Sequence, residues 1–189
     1  MIALFLILLG IFINGIGTAQ YIILTLKGKI KPNKVTFFIW SIAPFVAFLA
    51  QTAKGVGVQT LMTLSVSIFP LSIFLISFVN KKSYWKITKI DLFCGLLSLL
   101  GLLLWFLMKE ANLAILFSLF SEALATLPTM IKAYSYPETE NPLPWLASVI
   151  SGLLTLATLA SYTFENSAFP ILYTVEMFLI FLFSFKNKK

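Results

Sequence analysis

The sequence predicts an all-α membrane protein of seven transmembrane helices, in a 3+1+3 arrangement with two parallel three-helix repeats. Apolar residues make up 59% of the 189 residues and charged residues only 11%, which is unlike the balance of a soluble domain. The apolar residues form runs long enough to cross a hydrocarbon core of about 30 Å as helices. The polar segments between these runs contain a repeated motif, which predicts the division into two halves.

Seven apolar spans follow one another along the chain. The connections between them are short, so neighbouring spans are expected to run antiparallel. The first span is expected to be a transmembrane helix and not a cleavable signal, because no lysine precedes it and Asn14 and Gln20 interrupt it. The predicted spans are Ile2–Leu26, Val35–Ala53, Gln59–Val79, Asp91–Met108, Leu113–Ala133, Pro144–Thr163 and Phe169–Phe185.

The basic residues predict the orientation of the chain. All 14 are lysines, and the first, third and fifth connections and the C-terminal tail contain 4, 4, 1 and 3 of them, together 12. The opposite side has only Lys54 and Lys109. By the positive-inside rule, the protein is predicted to lie in a bacterial inner membrane with its N-terminus outside and its C-terminus in the cytoplasm. This orientation explains the net charge of +7 and argues against a nucleic-acid partner.

Two polar segments share the same spacing of Lys, Pro and Trp. Lys27–Trp40 (KGKIKPNKVTFFIW) and Lys132–Trp145 (KAYSYPETENPLPW) match at an offset of 105 residues. A second match relates Ser77–Lys82 (SFVNKK) to Ser184–Lys189 (SFKNKK) at an offset of 107 residues. Each predicted half has three spans, so the fourth span is needed to keep the two halves parallel. The predicted units are the first repeat, the linker helix and the second repeat, at residues 1–82, 83–112 and 113–189.

The segments Lys27–Trp40 and Lys132–Trp145, here called the first and second charged hairpins, have two interpretations. In the structural one, their prolines end a helix, Thr139 or Asn141 caps the next helix, and the tryptophans anchor the chain at the membrane interface. In the functional one, a lysine pairs with a glutamate across the two halves and forms a cytoplasmic gate. The candidate gate residues are Lys27, Lys132, Glu138, Glu140, Trp40 and Trp145.

Two carboxylates at mid-membrane depth are the strongest functional signal in the sequence. Glu122 lies near the middle of the fifth span and Glu176 near the middle of the seventh. Burying a charged carboxylate at the bilayer centre costs about 2.5–3.5 kcal/mol on insertion scales, so such residues are expected to face a cavity or a partner. Two carboxyl groups close together would be coupled, which predicts proton coupling or cation binding.

Small and polar residues fall on one face of several spans. Ser118 precedes Glu122 by one helical turn, Tyr173 shares a face with Glu176, and Asn14 lies at matching depth in the first span. We expect these faces to converge on a wet cavity between the halves, with these five residues as the candidate binding site. For the small and hydroxyl residues the alternative is ordinary helix–helix packing.

Four prolines interrupt the predicted spans. They are Pro44, Pro70, Pro128 and Pro170. Each removes an internal backbone hydrogen bond and can kink its helix. Such kinks are candidate hinges in a transporter, but proline is also tolerated in membrane helices generally, and both interpretations stay open.

The predicted architecture resembles that of the SWEET/PQ-loop superfamily, which includes sugar transporters, lysosomal amino-acid transporters and architecturally similar carriers of vitamin precursors. Where that family has Pro-Gln, this chain has Ala19-Gln20 in one half and Pro128-Thr129 in the other. The asparagines that SWEET sugar transporters use in spans three and seven are missing, and Glu176 stands near that depth in span seven. The charged hairpins are also similar to those of an uncharacterised group of small bacterial seven-span membrane proteins.

The functional prediction is a transporter or facilitator for a small polar solute, with alternating access between two three-helix bundles and coupling to protons or cations. The alternative is a non-transporting receptor or interaction protein with the same fold. An enzyme is not predicted, because the chain has no histidine and no phosphate-binding motif. Cys94 is the only cysteine. No cofactor or metal is expected, and the protein is predicted to be a monomer or a homo-oligomer in the lipid bilayer.

Overall fold

The computed structural model describes residues 1–108 and 110–185, without the side chains of Trp105 and Met108. The described residues form seven α-helices and no strand, which confirms the all-α prediction. Each helix overlaps one predicted span, and the first has the predicted bounds. The helices are α1 Ile2–Leu26, α2 Lys34–Ala53, α3 Thr60–Ile76, α4 Lys89–Met108, α5 Ala111–Ser135, α6 Pro142–Leu156 and α7 Phe164–Phe185. Lys109 and most of the predicted motif Ser184–Lys189 lie outside the described residues.

Several helices have the length and composition of membrane spans. In the described part of the chain, α1, α2, α5 and α7 are long and apolar enough to cross a membrane, and α3 and α6 are shorter apolar helices. Large apolar side chains such as Phe5, Phe12, Phe93 and Leu96 are more than half exposed on the outside of the bundle. An apolar outer surface of this kind is consistent with a membrane protein.

Helix α6 ends earlier than predicted, at Leu156 instead of Thr163. The hydroxyl of Thr158 donates to the carbonyl of Thr155 at 2.7 Å, and the hydroxyl of Tyr162 donates to the carbonyl of Leu156 at 3.3 Å. These side chains satisfy carbonyl groups at the end of the helix, where the backbone has no further intrahelical donors. The apolar residues after Leu156 led to the prediction of a longer helix. The hydroxyl side chains that bond to the last turn end the helix at Leu156 instead.

Six of the helices pack around the centre of the bundle, and we describe them as two groups of three in chain order. In the first group α3 packs between α1 and α2, and in the second group α7 packs between α5 and α6. The groups meet mainly through α1 with α6 and α2 with α5, and more narrowly through α2 with α7 and α3 with α6. Helix α4 packs against α5 and α2 at the outside of the bundle. The centre of the molecule is therefore surrounded by the six helices of the two groups.

The connections meet at two ends of the bundle. At one end the backbone N–H of Lys31 donates to the carbonyl of Thr139 at 3.1 Å, which joins the two charged hairpins. At the other end Gln51 Nε2 donates to the carbonyl of Glu165 at 3.1 Å. We call the first the lysine-rich end and the second the opposite end. A binding site between the two groups would be reached from one or both of these ends.

Side chains at the helix starts explain where the helices begin. Asn33 accepts from the backbone N–H of Val35 at the start of α2, and Asn141 accepts from that of Leu143 at the start of α6. The cap predicted at Thr139 or Asn141 is therefore Asn141, with Pro142 at the first helical position. The structural interpretation of the charged hairpins is confirmed for these helix ends.

The four prolines predicted to interrupt spans all lie inside helices and are buried. They are Pro44 in α2, Pro70 in α3, Pro128 in α5 and Pro170 in α7. For two of these prolines, a hydroxyl group from a neighbouring helix donates to the backbone carbonyl three residues earlier in the chain. Ser67 donates to Ser41, before Pro44, and Thr36 donates to Ala125, before Pro128. Neighbouring helices thereby satisfy backbone groups beside the prolines, as is usual in membrane helices.

Candidate functional site

A small cavity lies at the centre of the bundle and receives residues from all six helices of the two groups. Its volume is about 40 Å³, which is room for about three water molecules. Nearly all of the lining residues are buried, and Phe69 is partly exposed. We call this space the central cavity. It lies between the two groups, where the sequence predicts a binding site.

Glu122 on α5 provides the carboxylate of the central cavity. Its side chain is 1% exposed and lines the cavity. Neither carboxylate oxygen has a hydrogen-bond partner among the described residues. A buried charge without a partner is costly, since it has lost its hydration shell and gained nothing in return. Glu122 is therefore the most prominent unsatisfied group at the site.

Glu176 on α7 is the second buried carboxylate, with 3% of its surface exposed. Its carboxyl group is close enough to that of Glu122 for the two to interact electrostatically. One of its oxygens, Oε2, has no partner among the described residues. The structure thus brings together the two carboxylates that were predicted from separate spans, although Glu176 stands behind the cavity lining.

Three polar side chains from three helices bond to one another beside Glu122. Asn14 on α1 donates through Nδ2 to the hydroxyl of Tyr173 on α7 at 3.0 Å. The hydroxyl of Ser148 on α6 donates to Asn14 Oδ1, also at 3.0 Å. We call these residues the polar triad. Their mutual bonds fix the orientation of the Asn14 amide, which joins the first group of helices to the second.

Ser118, the fifth predicted binding residue, is placed differently. It is fully buried on α5, one turn from Glu122 towards the opposite end, and its hydroxyl has no partner in the described part of the chain. It does not line the central cavity. Three of the five predicted residues, Asn14, Glu122 and Tyr173, therefore line the cavity, and Ser118 and Glu176 lie behind its wall.

Aromatic side chains close the cavity towards the lysine-rich end. The rings of Trp40 and Trp145 meet edge to face, with 6.1 Å between their centroids, and Phe37 packs against both. Tyr21 packs on Phe37 and on Trp145. A second cavity of about 30 Å³ shares Asn14, Phe37 and Trp145 with the first and extends to Tyr21.

The interpretation of the two tryptophans as interface anchors is wrong. Trp40 is 3% exposed and Trp145 is 4% exposed. The indole N–H of Trp40 donates to Thr126 Oγ1 at 3.1 Å, and that of Trp145 donates to Glu140 Oε2 at 3.3 Å. These protein partners replace the water that an interface tryptophan would contact. Both side chains lie between the two groups of helices instead.

A buried ion pair lies beyond the aromatic side chains. Lys132 Nζ and Glu140 Oε1 are 2.5 Å apart, and both side chains are fully buried. Lys132 also donates to the carbonyl of Lys31, in the first charged hairpin. Glu140 accepts from the hydroxyl of Tyr21 as well, at 3.2 Å to Oε2. The pair thus bonds to both halves of the chain.

The predicted pairing across the two halves needs correction. Lys132 and Glu140 both belong to the second charged hairpin, so the ion pair forms within one hairpin. Lys27 and Glu138 are exposed and take no part in it. Lys27 ends α1, and its position at the surface keeps its charge hydrated. The contacts of the ion pair that do cross between the halves are made by Tyr21 and by the carbonyl of Lys31.

Close packing of small residues closes the bundle towards the opposite end. A Cβ added to Gly10 on α1 would lie 3.2 Å from Ser151 on α6, and one added to Gly152 would lie 2.1 Å from Thr174 Oγ1. Larger side chains at these glycines would separate the helices. The central cavity is therefore narrowed by close packing towards both ends in this conformation.

Sequence reasoning missed part of the cavity lining. Phe37, Val66 and Met177 all contribute to it. Phe37 precedes Trp40 by three residues and therefore lies on the same helix face, a signal that could have found it. Val66 and Met177 stand in apolar surroundings in the sequence, and their position follows only from the packing of α3 and α7. No family model, curated protein or solved structure matches this chain.

Proposed function

We propose that the protein is an integral membrane transporter or facilitator for a small polar solute, with alternating access between two three-helix bundles. In this proposal all seven helices cross the membrane, α1–α3 and α5–α7 are parallel repeats, and α4 is the linker. The observation that carries the proposal is the Glu122 carboxylate, which is buried, lines the central cavity and has no partner among the described residues. Such a group needs a proton or a ligand from outside the chain.

The pairing of the helices supports the proposed repeat. The helix contacts are symmetric between the two groups. If α1 is exchanged with α5, α2 with α6 and α3 with α7, the same pairs of helices are in contact between and within the groups. The offset of 105 residues also relates two contacts between the groups. Trp145 lies 105 residues after Trp40, and Tyr21 lies 105 residues before Thr126. The hydrogen bond between Trp40 and Thr126 therefore corresponds to the ring contact between Trp145 and Tyr21, whose centroids are 5.5 Å apart.

The proposed membrane is a bacterial inner membrane, with the lysine-rich end in the cytoplasm. The support is the lysine distribution, since Lys27, Lys29, Lys31, Lys34 and Lys132 belong to hairpins that meet at one end. With this orientation the aromatic side chains and the ion pair Lys132–Glu140 form the cytoplasmic gate. The close contact of α1 with α6 at Gly10 forms the outer closure.

Opening the cavity requires one closure to separate while the other holds. At the cytoplasmic side, Tyr21 must leave Glu140 and Trp40 must leave Trp145, because these contacts join the two bundles. The ion pair can stay intact, since both of its members belong to the second bundle. The buried prolines of α2, α3, α5 and α7 are the proposed hinges, because helices bend most easily where a backbone hydrogen bond is missing.

The proposal is tested with the full chain, purified and reconstituted into lipid vesicles. A thermal-shift screen against sugars, amino acids, vitamins and nucleosides identifies stabilising compounds, and counterflow of those compounds measures transport. We expect Glu122→Gln to abolish counterflow. The control is Glu165→Gln, which removes a partly exposed carboxylate at the opposite end and should leave counterflow unchanged. Counterflow that is the same for Glu122→Gln as for the original protein would overturn the assignment of the site.

A second function, a non-transporting receptor or interaction protein, is favoured by the small volume of the cavity. Space of about 40 Å³ is far below the several hundred Å³ of most small-molecule sites. The same experiment separates the two functions. Stabilising compounds that bind but show no counterflow in vesicles would favour the receptor, and counterflow would favour the transporter.

A further inference from the structure

We propose that the central cavity binds a small alkylammonium ion, held by the Glu122 carboxylate and by aromatic side chains. This inference rests on the proposed function and specifies its substrate class. Three features of the cavity lead to it. They are the sign of the charge, the aromatic lining and the hydrogen bonds that the polar triad has already formed.

The charge of the cavity selects a cation. Glu122 lines it and Glu176 lies behind its wall, and no lysine lines it in the described part of the chain. The buried lysine, Lys132, is paired with Glu140. An anion placed here would meet these two carboxyl groups without a compensating cation, whereas one positive charge would compensate a carboxylate that has no partner among the described residues.

Aromatic side chains form a large part of the cavity wall. Phe37 and Trp40 from α2, Phe69 from α3, Trp145 from α6 and Tyr173 from α7 all line it. The faces of aromatic rings carry negative potential and attract organic cations, most strongly where water is excluded. A ring wall beside a single carboxylate is the arrangement that binds alkylammonium groups, with the ammonium on the carboxylate and the alkyl carbons against the rings.

The polar triad argues against a sugar or another solute with many hydroxyl groups. Asn14, Ser148 and Tyr173 already make hydrogen bonds to one another, and Ser148 also bonds to the carbonyl of Pro144. Among the described lining residues, the buried oxygens with no hydrogen-bond partner belong to Glu122, and they are acceptors. A ligand that donates hydrogen bonds and carries positive charge satisfies them, as an ammonium group does.

A bare metal cation fits less well than an ammonium ion. Hard cations such as Ca²⁺ take about six to eight oxygen ligands. In the described lining, Glu122 is the one carboxylate, and most of the remaining wall is aromatic or aliphatic. The cavity of about 40 Å³ is also about the size of methylammonium or ethylammonium, which occupy about the space of two or three waters.

Protons and alkylammonium ions are expected to compete for the site. Among the described residues, the titratable groups that interact with Glu122 are Glu176 and Tyr173, both on α7, and neither can carry a positive charge. Either a proton on a carboxyl group or an ammonium ion beside it reduces the negative charge of the pair by one. Exchange of one for the other would couple uptake of the amine to movement of a proton.

The test measures binding of methylammonium to the purified full chain in detergent by titration calorimetry. Ethanol, acetate, sodium and potassium ions serve as neutral, anionic and inorganic comparisons. We expect methylammonium to bind and the comparison solutes not to bind. Glu122→Gln should weaken methylammonium binding at least about tenfold, because it removes the charge that pairs with the ammonium. The control Glu165→Gln should bind as the original protein does.

A second variant tests the aromatic wall. Phe69 is partly exposed and contributes a ring to the cavity. Phe69→Leu keeps an apolar side chain but removes the ring, and we expect it to weaken methylammonium binding about threefold. This variant keeps the proposal testable even if Glu122→Gln fails to fold. Equal binding of sodium, acetate or ethanol, or binding that neither variant changes, would overturn the proposal.

Failure of this inference is distinguishable from failure of the proposed function. Methylammonium binding that depends on Glu122, without counterflow in vesicles, supports the cation site and overturns transport. Counterflow of a neutral or anionic solute that depends on Glu122, without methylammonium binding, supports transport and overturns the cation site.

Discussion

Glu140 and Glu122 are both buried, with 4% and 1% of their surfaces exposed, but their surroundings differ. Glu140 pairs with Lys132 and accepts from Tyr21 and Trp145. Glu122 accepts from no group among the described residues. Both carboxylates lose their hydration when they are buried. For Glu140 the ion pair and the hydrogen bonds within the protein offset this cost, whereas for Glu122 no described residue does so.

This difference indicates a structural or gating role for the charge of Glu140 and a binding role for that of Glu122. The partners of Glu140 come from both halves of the chain, so its bonds hold the halves together at the lysine-rich end. Glu122 lies at the central cavity, where a ligand or proton can approach it. Substitutions at the two positions should therefore affect stability and binding in opposite ways, and the following predictions test this comparison.

The largest effect is expected from Lys132→Met, which leaves Glu140 buried without its ion-pair partner. Removing one member of a buried pair typically costs about 3–5 kcal/mol, because the remaining charge is uncompensated. Unfolding of the purified protein in detergent would measure the loss. Lys29→Met is the matched control, since Lys29 is exposed, and it should change the free energy of unfolding by less than about 0.5 kcal/mol. Equal effects of the two variants would contradict the assignment of Lys132.

A smaller loss is expected from Tyr21→Phe, which removes one donor from Glu140 and keeps the ring contacts. The hydroxyl lies 3.2 Å from Oε2, longer than the usual range of about 2.5–3.0 Å for O–H···O bonds. We therefore expect a loss of about 1.5 kcal/mol, at the low end for hydrogen bonds to charged groups. A double-mutant cycle with Glu140→Gln measures the coupling, which should be absent if the two side chains do not interact.

Glu122→Gln should leave the free energy of unfolding within about 1 kcal/mol of the original value, or raise it. The carboxylate has no hydrogen bond within the described residues to lose, and the amide carries no charge that must be dehydrated. The same unfolding measurement in detergent tests this expectation. A loss as large as that of Lys132→Met would mean that Glu122 has a structural partner, which would remove the contrast with Glu140.

The smallest effect concerns Glu110, an exposed carboxylate at the start of α5. It accepts from the backbone N–H groups of Asn112 and Leu113, which lower its pKa from the ordinary value of 4.5. Its contribution to stability is therefore present above its ordinary pKa and is lost as the pH falls through the lowered pKa. Glu110→Gln should reduce the difference in unfolding temperature between neutral pH and about pH 3. An unchanged difference would show that the cap contributes nothing.

Much of the fold could be predicted because its signals are local. Apolar runs, Asn141 before Pro142, and prolines within the spans describe segments of a few residues, and the helices lie where these signals predict. The predicted end of α6 was wrong because the hydroxyl groups of Thr158 and Tyr162 bond to carbonyl groups of the last turn. Hydropathy does not include such competition between side chains and the helix backbone. The depth of Glu122 and Glu176 in their spans was also readable, since it depends only on position along each helix.

The partners of the buried groups could not be predicted in the same way. Trp40 and Trp145 were interpreted as interface anchors because their positions near the span ends allow it, yet they meet at the centre of the bundle. The gate lysine and glutamate were expected to pair across the halves, but Lys132 reaches Glu140 within its own hairpin. In each case several partners were compatible with the sequence, and the packing of the helices selected one.

The sequence by itself determined the helical class, the positions of the helices and the presence of carboxylates in apolar surroundings. These properties follow from hydropathy and helical periodicity, which act between residues close together in the chain. Only the tertiary structure decided which carboxylate is satisfied. Tyr21 and Glu140 are 119 residues apart in the chain, and Glu122 has no partner among the described residues because of where the other helices place their donors. That choice depends on the packing of six helices at once, and it makes Glu122 the candidate binding residue.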